Sequence, residues 1–124
     1  MARILIVDDE EAILAILTPM LERGGHEVVS AESSDRALEI LESDRVDIAI
    51  IDLVMPGKGG LTLIMEHLAA RKDIGLVAMS GKLPVGSDSM LGLGNALRIG
   101  AFLPKPFTMD DLQKAISDAM PARG

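Results

Sequence analysis

Short apolar runs that fit buried strands alternate along the chain with segments whose apolar residues recur at helical spacing. The first strand is predicted at Arg3–Val7, because the run RILIV stops abruptly at four consecutive acids. Four further strands are predicted at His26–Ala31, Asp47–Asp52, Gly75–Met79 and Ala101–Leu103. Each of these runs ends in polar or turn-forming residues, so the carboxyl ends of the strands are well marked.

A helix is predicted after each strand. The first follows the acids and closes at the glycine pair 24–25, as a helix carboxyl cap would. The others are predicted at Ser34–Ser43, from about Leu61, at Asp88–Arg98 and after Thr108, with residues 82–87 as a loop before the fourth helix. Thr108 is predicted to cap the last helix, because Asp111 follows three residues later.

Three residues in these helices have specific expected positions. Pro19 lies inside the first helical pattern and lacks a backbone donor, so we expect a kink or an irregular turn there. Met65 is expected in the core beside Ile64 and Leu68, and Met120 is expected to extend the buried stripe of the last helix.

The order of elements, strand then helix five times, predicts an α/β domain with a parallel sheet and helices on both faces. We expect residues 1–124 to form a single domain, because the chain is long enough for one core and carries no linker-like segment. In such a doubly wound sheet the carboxyl ends of all strands meet at one edge.

The residues that follow the strands bring chemically matched groups to that edge. They are Asp8 and Asp9 after the first strand, Asp52 at the third, Ser80 at the fourth and Lys105 after the fifth. Three clustered carboxylates repel one another unless a cation lies among them, and hard oxygen ligands suit Mg2+. Each residue alone also fits a plainer role, such as an acid at a helix start or a turn residue.

Four motifs carry a resemblance to a known family. With ILIVDDE, IIDLVMPG, VAMSG and AFLPKPF in this order, the chain resembles the receiver domain of two-component response regulators. The sequence fits both the stand-alone form of the chemotaxis regulators and a receiver cut from a longer protein. The resemblance implies a flavodoxin-like, five-stranded parallel sheet in the order 2-1-3-4-5 with five helices. It also implies a signalling module and not an enzyme, apart from assisting its own phosphorylation and dephosphorylation.

The resemblance assigns roles to the acids. It implies that Asp52 accepts a phosphoryl group from a sensor histidine kinase or a phosphotransfer protein. Asp9 matches the principal acidic ligand of Mg2+, and Asp8 matches its neighbour, which acts partly through water. Asp52 itself and the backbone carbonyl of Val54 would supply the other protein ligands of the metal ion.

The remaining matches concern charge and switching. Lys105 matches the lysine that pairs with Asp52 and then with the phosphoryl group. Ser80 matches the hydroxyl that moves towards the phosphoryl oxygen, and Phe102 matches the aromatic switch position. Phosphorylation would thereby change the surface of the fourth helix, fifth strand and fifth helix, which would bind a downstream protein that the sequence does not identify.

Composition limits the kinds of partner and the cellular compartment that we expect for this chain. The net charge is −7, the basic residues are scattered, and the aromatic residues are only two phenylalanines, so direct nucleic-acid binding is not expected. The apolar start of the chain is too short for a signal sequence or a membrane span, so we expect no membrane insertion and a cytoplasmic location.

Two other classes of protein fit the sequence less well than a receiver domain does. A magnesium-dependent phosphatase of the haloacid-dehalogenase type would have a second Asp two residues after the nucleophile, where this chain has Val54. A nucleotide-binding domain would have a glycine-rich turn after the first strand, where this chain has acids. The stronger alternative is a phosphorylation-independent interaction module with a receiver fold.

Overall fold

The computed structural model describes residues 2–55, 59–80 and 88–121. Its strands are β1 (Arg3–Val7), β2 (Glu27–Ala31), β3 (Ile48–Asp52), β4 (Gly75–Ser80) and β5 (Ile99–Pro104). They form one parallel sheet in the order β2-β1-β3-β4-β5, as the resemblance implied. The predicted strands are all present, and β5 begins two residues earlier and ends one residue later than its apolar run indicated.

The helices are α1 (Glu11–Arg23), α2 (Ser34–Ser43), α3 (Gly60–Leu63, continuing as a π-helical segment at Ile64–Leu68), α4 (Asp88–Leu97) and α5 (Met109–Ala119). The predicted loop at residues 82–87 lies outside the described residues. In the part of the chain that the structure describes, none of the helices has the length and apolar character needed to cross a bilayer.

Two hydrophobic cores lie on opposite faces of the sheet. The residues of β1 contribute alternately to the two cores, because successive side chains of a strand point to opposite faces. Ile4 and Ile6 pack on one face with leucines of α1 and α5. Leu5 and Val7 pack on the other face with apolar residues of α2 and α3. The sheet is therefore buried on both sides, and its carboxyl edge is held on a rigid support.

Of the two alternatives predicted at Pro19, the irregular turn is wrong, since α1 continues as one α-helix through this residue, and the kink stays a prediction. Pro19 lies on the exposed side of the helix, and so does Ala15, whose carbonyl loses its intrahelical partner. Water can hydrogen-bond such an exposed carbonyl, so the missing donor is tolerated without a break in the helix.

The predicted burial of Met65 and Met120 is also wrong. Met65 is 60% exposed and lies in the π-helical segment, where the N–H of Ala69 donates to the carbonyl of Ile64 over a wider turn. The wider turn changes which residues face the sheet, and Leu63 is buried in the core instead. Met120 is 40% exposed, because α5 ends at Ala119.

The predicted cap of α5 is confirmed. The N–H of Asp111 donates to Oγ1 of Thr108 at 3.1 Å, and the N–H of Thr108 donates to a carboxylate oxygen of Asp111 at 2.9 Å. This capping box fixes the start of α5 a few residues after β5. The short connection between them, which contains Lys105, is thus anchored at both ends.

Candidate functional site

Asp52 is the last residue of β3, and the buried run before it places its carboxylate at the carboxyl edge of the sheet. The residue is 4% exposed. One carboxylate oxygen accepts a hydrogen bond from the N–H of Val54 at 3.1 Å, and the other accepts one from Nζ of Lys105 at 3.3 Å. Burial raises the pKa of Asp52 above its ordinary value, despite the opposing effects of the Val54 N–H and Lys105.

Asp8 follows β1 and is completely buried. Its Oδ1 accepts a hydrogen bond from the N–H of Glu10 at 2.9 Å, and its Oδ2 accepts one from Nζ of Lys105 at 2.8 Å. The N–H of Asp8 itself donates to the carbonyl of Ala31 at the end of β2. These bonds fix both the carboxylate and the backbone that leads into α1.

Lys105 lies between β5 and α5, with its side chain 15% exposed. Besides Asp8 and Asp52, its Nζ lies 3.5 Å from Oε1 of Glu10, so one ammonium group serves three carboxylates. Burial alone would lower the pKa of Lys105, but the hydrogen bonds and charges of Asp8 and Asp52 outweigh it and raise the pKa. The ammonium therefore stays charged at neutral pH. The peptide bond from Lys105 to Pro106 is cis.

An oxygen from each of Asp8, Glu10 and Asp52 lies within 4.8 Å of the other two. Carboxylate oxygens are hard ligands, and among the described residues their combined charge exceeds that of the Lys105 ammonium they surround, so this donor set fits Mg2+. Asp9, which the resemblance assigned as the principal ligand, is exposed and does not belong to this group. Glu10 was missed by the sequence interpretation, although it directly continues the acidic run.

The other predicted site residues lie around this acidic group. Ser80 is 6% exposed at the carboxyl end of β4, and its carbonyl accepts the N–H of Lys105 at 3.4 Å. Val54 is 54% exposed and follows Asp52 by two residues. Phe102 is half-buried on β5 and lies against Gly94 of α4, where a Cβ would meet the ring at 3.1 Å.

Gly60 gives the site a close backbone contact between β3 and the start of α3. A Cβ at this position would overlap the carbonyl oxygen of Asp52 and lie 2.6 Å from a methyl carbon of Ile51. Only glycine lets the helix approach the end of the strand this closely. The backbone of Asp52 is thereby held between the sheet and α3.

Comparison with known proteins identifies the class to which this fold and site belong. The family model of the response regulator receiver domain matches residues 4–117. The chain belongs to the receiver-domain family of two-component response regulators, whose members are signalling modules.

Among its relatives, the chain is 33% identical over 121 residues to the DNA-binding transcriptional regulator NtrC of Azospirillum brasilense, covering 96% of this chain and 24% of that protein. It spans less than half the length of several other curated relatives that it matches. Their activities as whole proteins therefore do not transfer directly to this chain.

Two solved structures have nearly the same size and fold. The chemotaxis protein CheY4 of Vibrio cholerae gives a TM-score of 0.83 at 26% identity, covering 97% of this chain and 99% of that one. The response regulator TrrA of Thermotoga maritima gives a TM-score of 0.80 at 30% identity, covering 97% of this chain and 100% of that one, and was solved in complex with Mg(2+)-BeF.

Proposed function

We propose that this chain, as a single receiver domain over residues 1–124, is a phosphoacceptor in two-component signal transduction. Asp52 accepts a phosphoryl group from a sensor histidine kinase or a phosphotransfer protein in a reaction that depends on Mg2+. The observation that carries the proposal is the contact of Lys105 Nζ with the buried carboxylates of both Asp8 and Asp52 at the carboxyl edge of the sheet. The proposal places the reaction in the cytoplasm.

Asp52 is the nucleophile. An oxygen of its ionised carboxylate attacks the phosphorus, the bond from phosphorus to the donor atom breaks, and the donor leaves with that electron pair. The product is an acyl phosphate on Asp52. The rigid support of β3 and the Gly60 contact hold the carboxylate in place, which favours an in-line approach of the donor.

Positive charge on the transferring oxygens is the main requirement for the transition state. Lys105 supplies one charge directly, since its ammonium already lies between Asp8 and Asp52. Bound Mg2+ would neutralise further charge on the phosphoryl oxygens. In this proposal the ion would be held by Asp8, Asp9, Asp52 and the backbone carbonyl of Val54. The Mg(2+)-BeF complex of the similar TrrA supports such a site.

Ser80 and Phe102 couple the chemistry to a surface. In this proposal the hydroxyl of Ser80 approaches the phosphoryl group, and the position of Ser80 at the end of β4, one strand away from Asp52, supports that role. Phe102 lies between the sheet and α4, and its ring contacts Gly94. Movement of Ser80 would make room for Phe102 and change the surface formed by α4, β5 and α5, which would bind an unidentified downstream protein. Phe102 has no hydroxyl, so its movement rests on packing alone.

The test is intact mass after incubation with Mg2+ and acetyl phosphate, for wild type and for Asp52→Asn, with a metal-free control. The proposal expects the mass of one phosphoryl group on wild type with metal, and no gain in the other samples. If wild type stays unmodified with acetyl phosphate and with a panel of histidine kinases, the chain is a phosphorylation-independent interaction module.

A further inference from the structure

A cleft lies between α1 and α5, on the face of the sheet that these two helices cover. Its volume is about 360 Å3, which is within the range of sites for small molecules. We propose that this cleft binds a small uncharged molecule that has an apolar body and a carbonyl group as hydrogen-bond acceptor. The residues that line it are separate from the acidic group at the carboxyl edge, so the inference goes beyond the proposed function.

The walls of the cleft are mostly apolar. Leu21 of α1 and Leu112 and Ile116 of α5 line it and are also part of the core beneath the two helices, so this part of the wall is rigid. Met20 and Met109 line it from the two helices and are only half-buried. Methionine side chains are flexible and polarisable, so they adapt to the shape of a ligand. The cleft therefore suits an apolar body.

His26 supplies a hydrogen-bond donor at one end of the cleft. Its Nδ1 accepts the N–H of Ala2 at 3.1 Å, so the proton of the neutral ring is on Nε2. The Nε2 side of the ring faces Gly24, another lining residue, where a Cβ would lie 3.4 Å from Nε2. Within the described residues no acceptor pairs with Nε2. A carbonyl oxygen of a ligand can therefore accept this proton.

The charge of the cleft selects against ions. Burial and the charge of the amino terminus lower the pKa of His26, so its ring is neutral at pH 7. The other polar residues described in the lining, Gln113 and Ser117, are uncharged. A charged ligand would lose hydration without gaining an opposite charge, and the net charge of −7 repels anions further. An uncharged ligand has neither cost.

A second copy of the chain fits the cleft less well than a small molecule does. In a two-fold symmetric dimer the same surface of each copy faces its counterpart. Two concave surfaces that face each other leave a void between them, and a void forfeits the contacts that would stabilise the dimer.

The test uses the ketone 4-phenylbutan-2-one as probe, with 3-phenylpropanoate as a charged control of similar size. Each is titrated into the whole 15N-labelled chain at pH 7, and the amide shifts are followed by nuclear magnetic resonance. We expect the ketone to shift amides around the cleft with a dissociation constant of about 1 mM, as is typical of so small a probe. The carboxylate should bind at least about tenfold more weakly.

Three variants locate the site. Ser117→Met fills the cleft from α5 with a good helix former and should weaken binding of the ketone about tenfold or more. Ser117→Ala is its matched control, because it leaves the cleft open, and should change the affinity by less than about twofold. His26→Asn keeps an acceptor for the N–H of Ala2 but lacks the Nε2 donor, and should weaken binding about fivefold, the effect of one neutral hydrogen bond. Thermal unfolding checks that each variant is folded.

The proposal is overturned if no amide shifts appear with up to about 10 mM ketone, or if the shifts lie outside the cleft. Equal affinities of Ser117→Met and Ser117→Ala would also overturn it. Equal binding of the ketone and the carboxylate would contradict the uncharged class of ligand. If amides of the cleft shift with protein concentration in the absence of the probe, a second copy of the chain occupies the cleft and the proposal is wrong.

Discussion

Charged residues lie both where the strands begin (the amino edge of the sheet) and where they end (the carboxyl edge). Their ion pairs differ between the two edges. At the amino edge, Asp47 accepts the N–H of Arg3 at 2.8 Å and the guanidinium of Arg45 at 3.1 Å. The guanidinium of Arg3 in turn pairs with Glu27 at 2.9 Å and Asp44 at 3.0 Å. Acids and guanidiniums are interleaved there, and the pairs tie the starts of β1, β2 and β3 together.

At the carboxyl edge, one ammonium serves three carboxylates, and two of these are buried. Within residues 2–55, 59–80 and 88–121, this edge therefore has fewer positive than negative charges, and a bound cation would balance them. Charge at the amino edge therefore ties the strands together, whereas the arrangement at the carboxyl edge favours a bound cation.

The largest effect is expected from adding a methyl group at a close backbone contact on either edge. A Cβ at Gly60 would overlap the carbonyl oxygen of Asp52, and a Cβ at Gly75 would overlap that of Ala119. Gly60→Ala and Gly75→Ala should each lower the free energy of unfolding by about 2 to 3 kcal/mol, because backbone atoms must shift. Urea unfolding measures this loss.

The two variants should differ in function. Folded Gly75→Ala should be phosphorylated at the wild-type rate, whereas Gly60→Ala displaces the backbone of Asp52 and should react more slowly. Gly92→Ala in α4 is the control, since a Cβ there meets nothing within 4 Å. It should stabilise the protein by up to about 1 kcal/mol. Unchanged stability in Gly60→Ala would contradict the close contact.

The same substitution on the two edges should have effects of opposite sign. Asp47→Asn removes the charged partner of Arg45 and should destabilise the metal-free protein by about 1 kcal/mol at neutral pH. Asp52→Asn should stabilise it by about 1 kcal/mol, since it removes a buried charge from a described group in which three carboxylates share the Lys105 ammonium.

The pKa of Asp52 also predicts that Asp52→Asn stabilises the protein. Burial raises that pKa in the folded protein, so the folded state holds the proton more tightly than the unfolded state. Ionisation of Asp52 as the pH rises above 3.8, its ordinary pKa, therefore costs stability, and Asp52→Asn avoids this cost. Chemical unfolding of both variants measures the two signs. Loss of stability in Asp52→Asn would contradict the unbalanced charge of this edge.

The smallest effect is expected at His26, near the amino edge. Its Nδ1 accepts the N–H of Ala2 at 3.1 Å, and burial together with the charge of the amino terminus lowers its pKa below 6.5. The folded state thus resists protonation of His26, and stability should fall as the pH drops through 6.5. We expect a loss of less than about 1 kcal/mol between about pH 7.5 and pH 5.5.

Thermal unfolding at the two pH values checks this expectation. His26→Asn keeps an acceptor near the position of Nδ1 but does not titrate in this range, so its stability should change less with pH than that of wild type. An equal change in both proteins would show that His26 does not cause the effect.

The sequence was sufficient for most of the fold, because the buried strands are continuous apolar runs with abrupt polar ends. The order of the elements also predicted that one edge of the sheet carries Asp8, Asp9, Asp52, Ser80 and Lys105. Their spacing within that edge followed from the parallel order of the strands.

The features that could not be predicted from the sequence depend on local backbone geometry. The π-helical segment moves Met65 out of the core, and no periodic pattern reveals such a wider turn. The position of Glu10 depends on one hydrogen bond to Asp8 and on the extended residue before α1. The assignment of Asp9 as the principal metal ligand rests on the resemblance and stays a prediction.

The central claim is that the carboxylate of Asp52 becomes an acyl phosphate. The most direct test is to reduce the phosphorylated protein with borohydride, which converts an aspartyl phosphate to homoserine, and to map the peptides by mass. The account predicts homoserine at position 52 in wild type treated with Mg2+ and acetyl phosphate, and unmodified peptide in the metal-free control. A phosphoryl group that survives reduction, or homoserine at another aspartate, would contradict it.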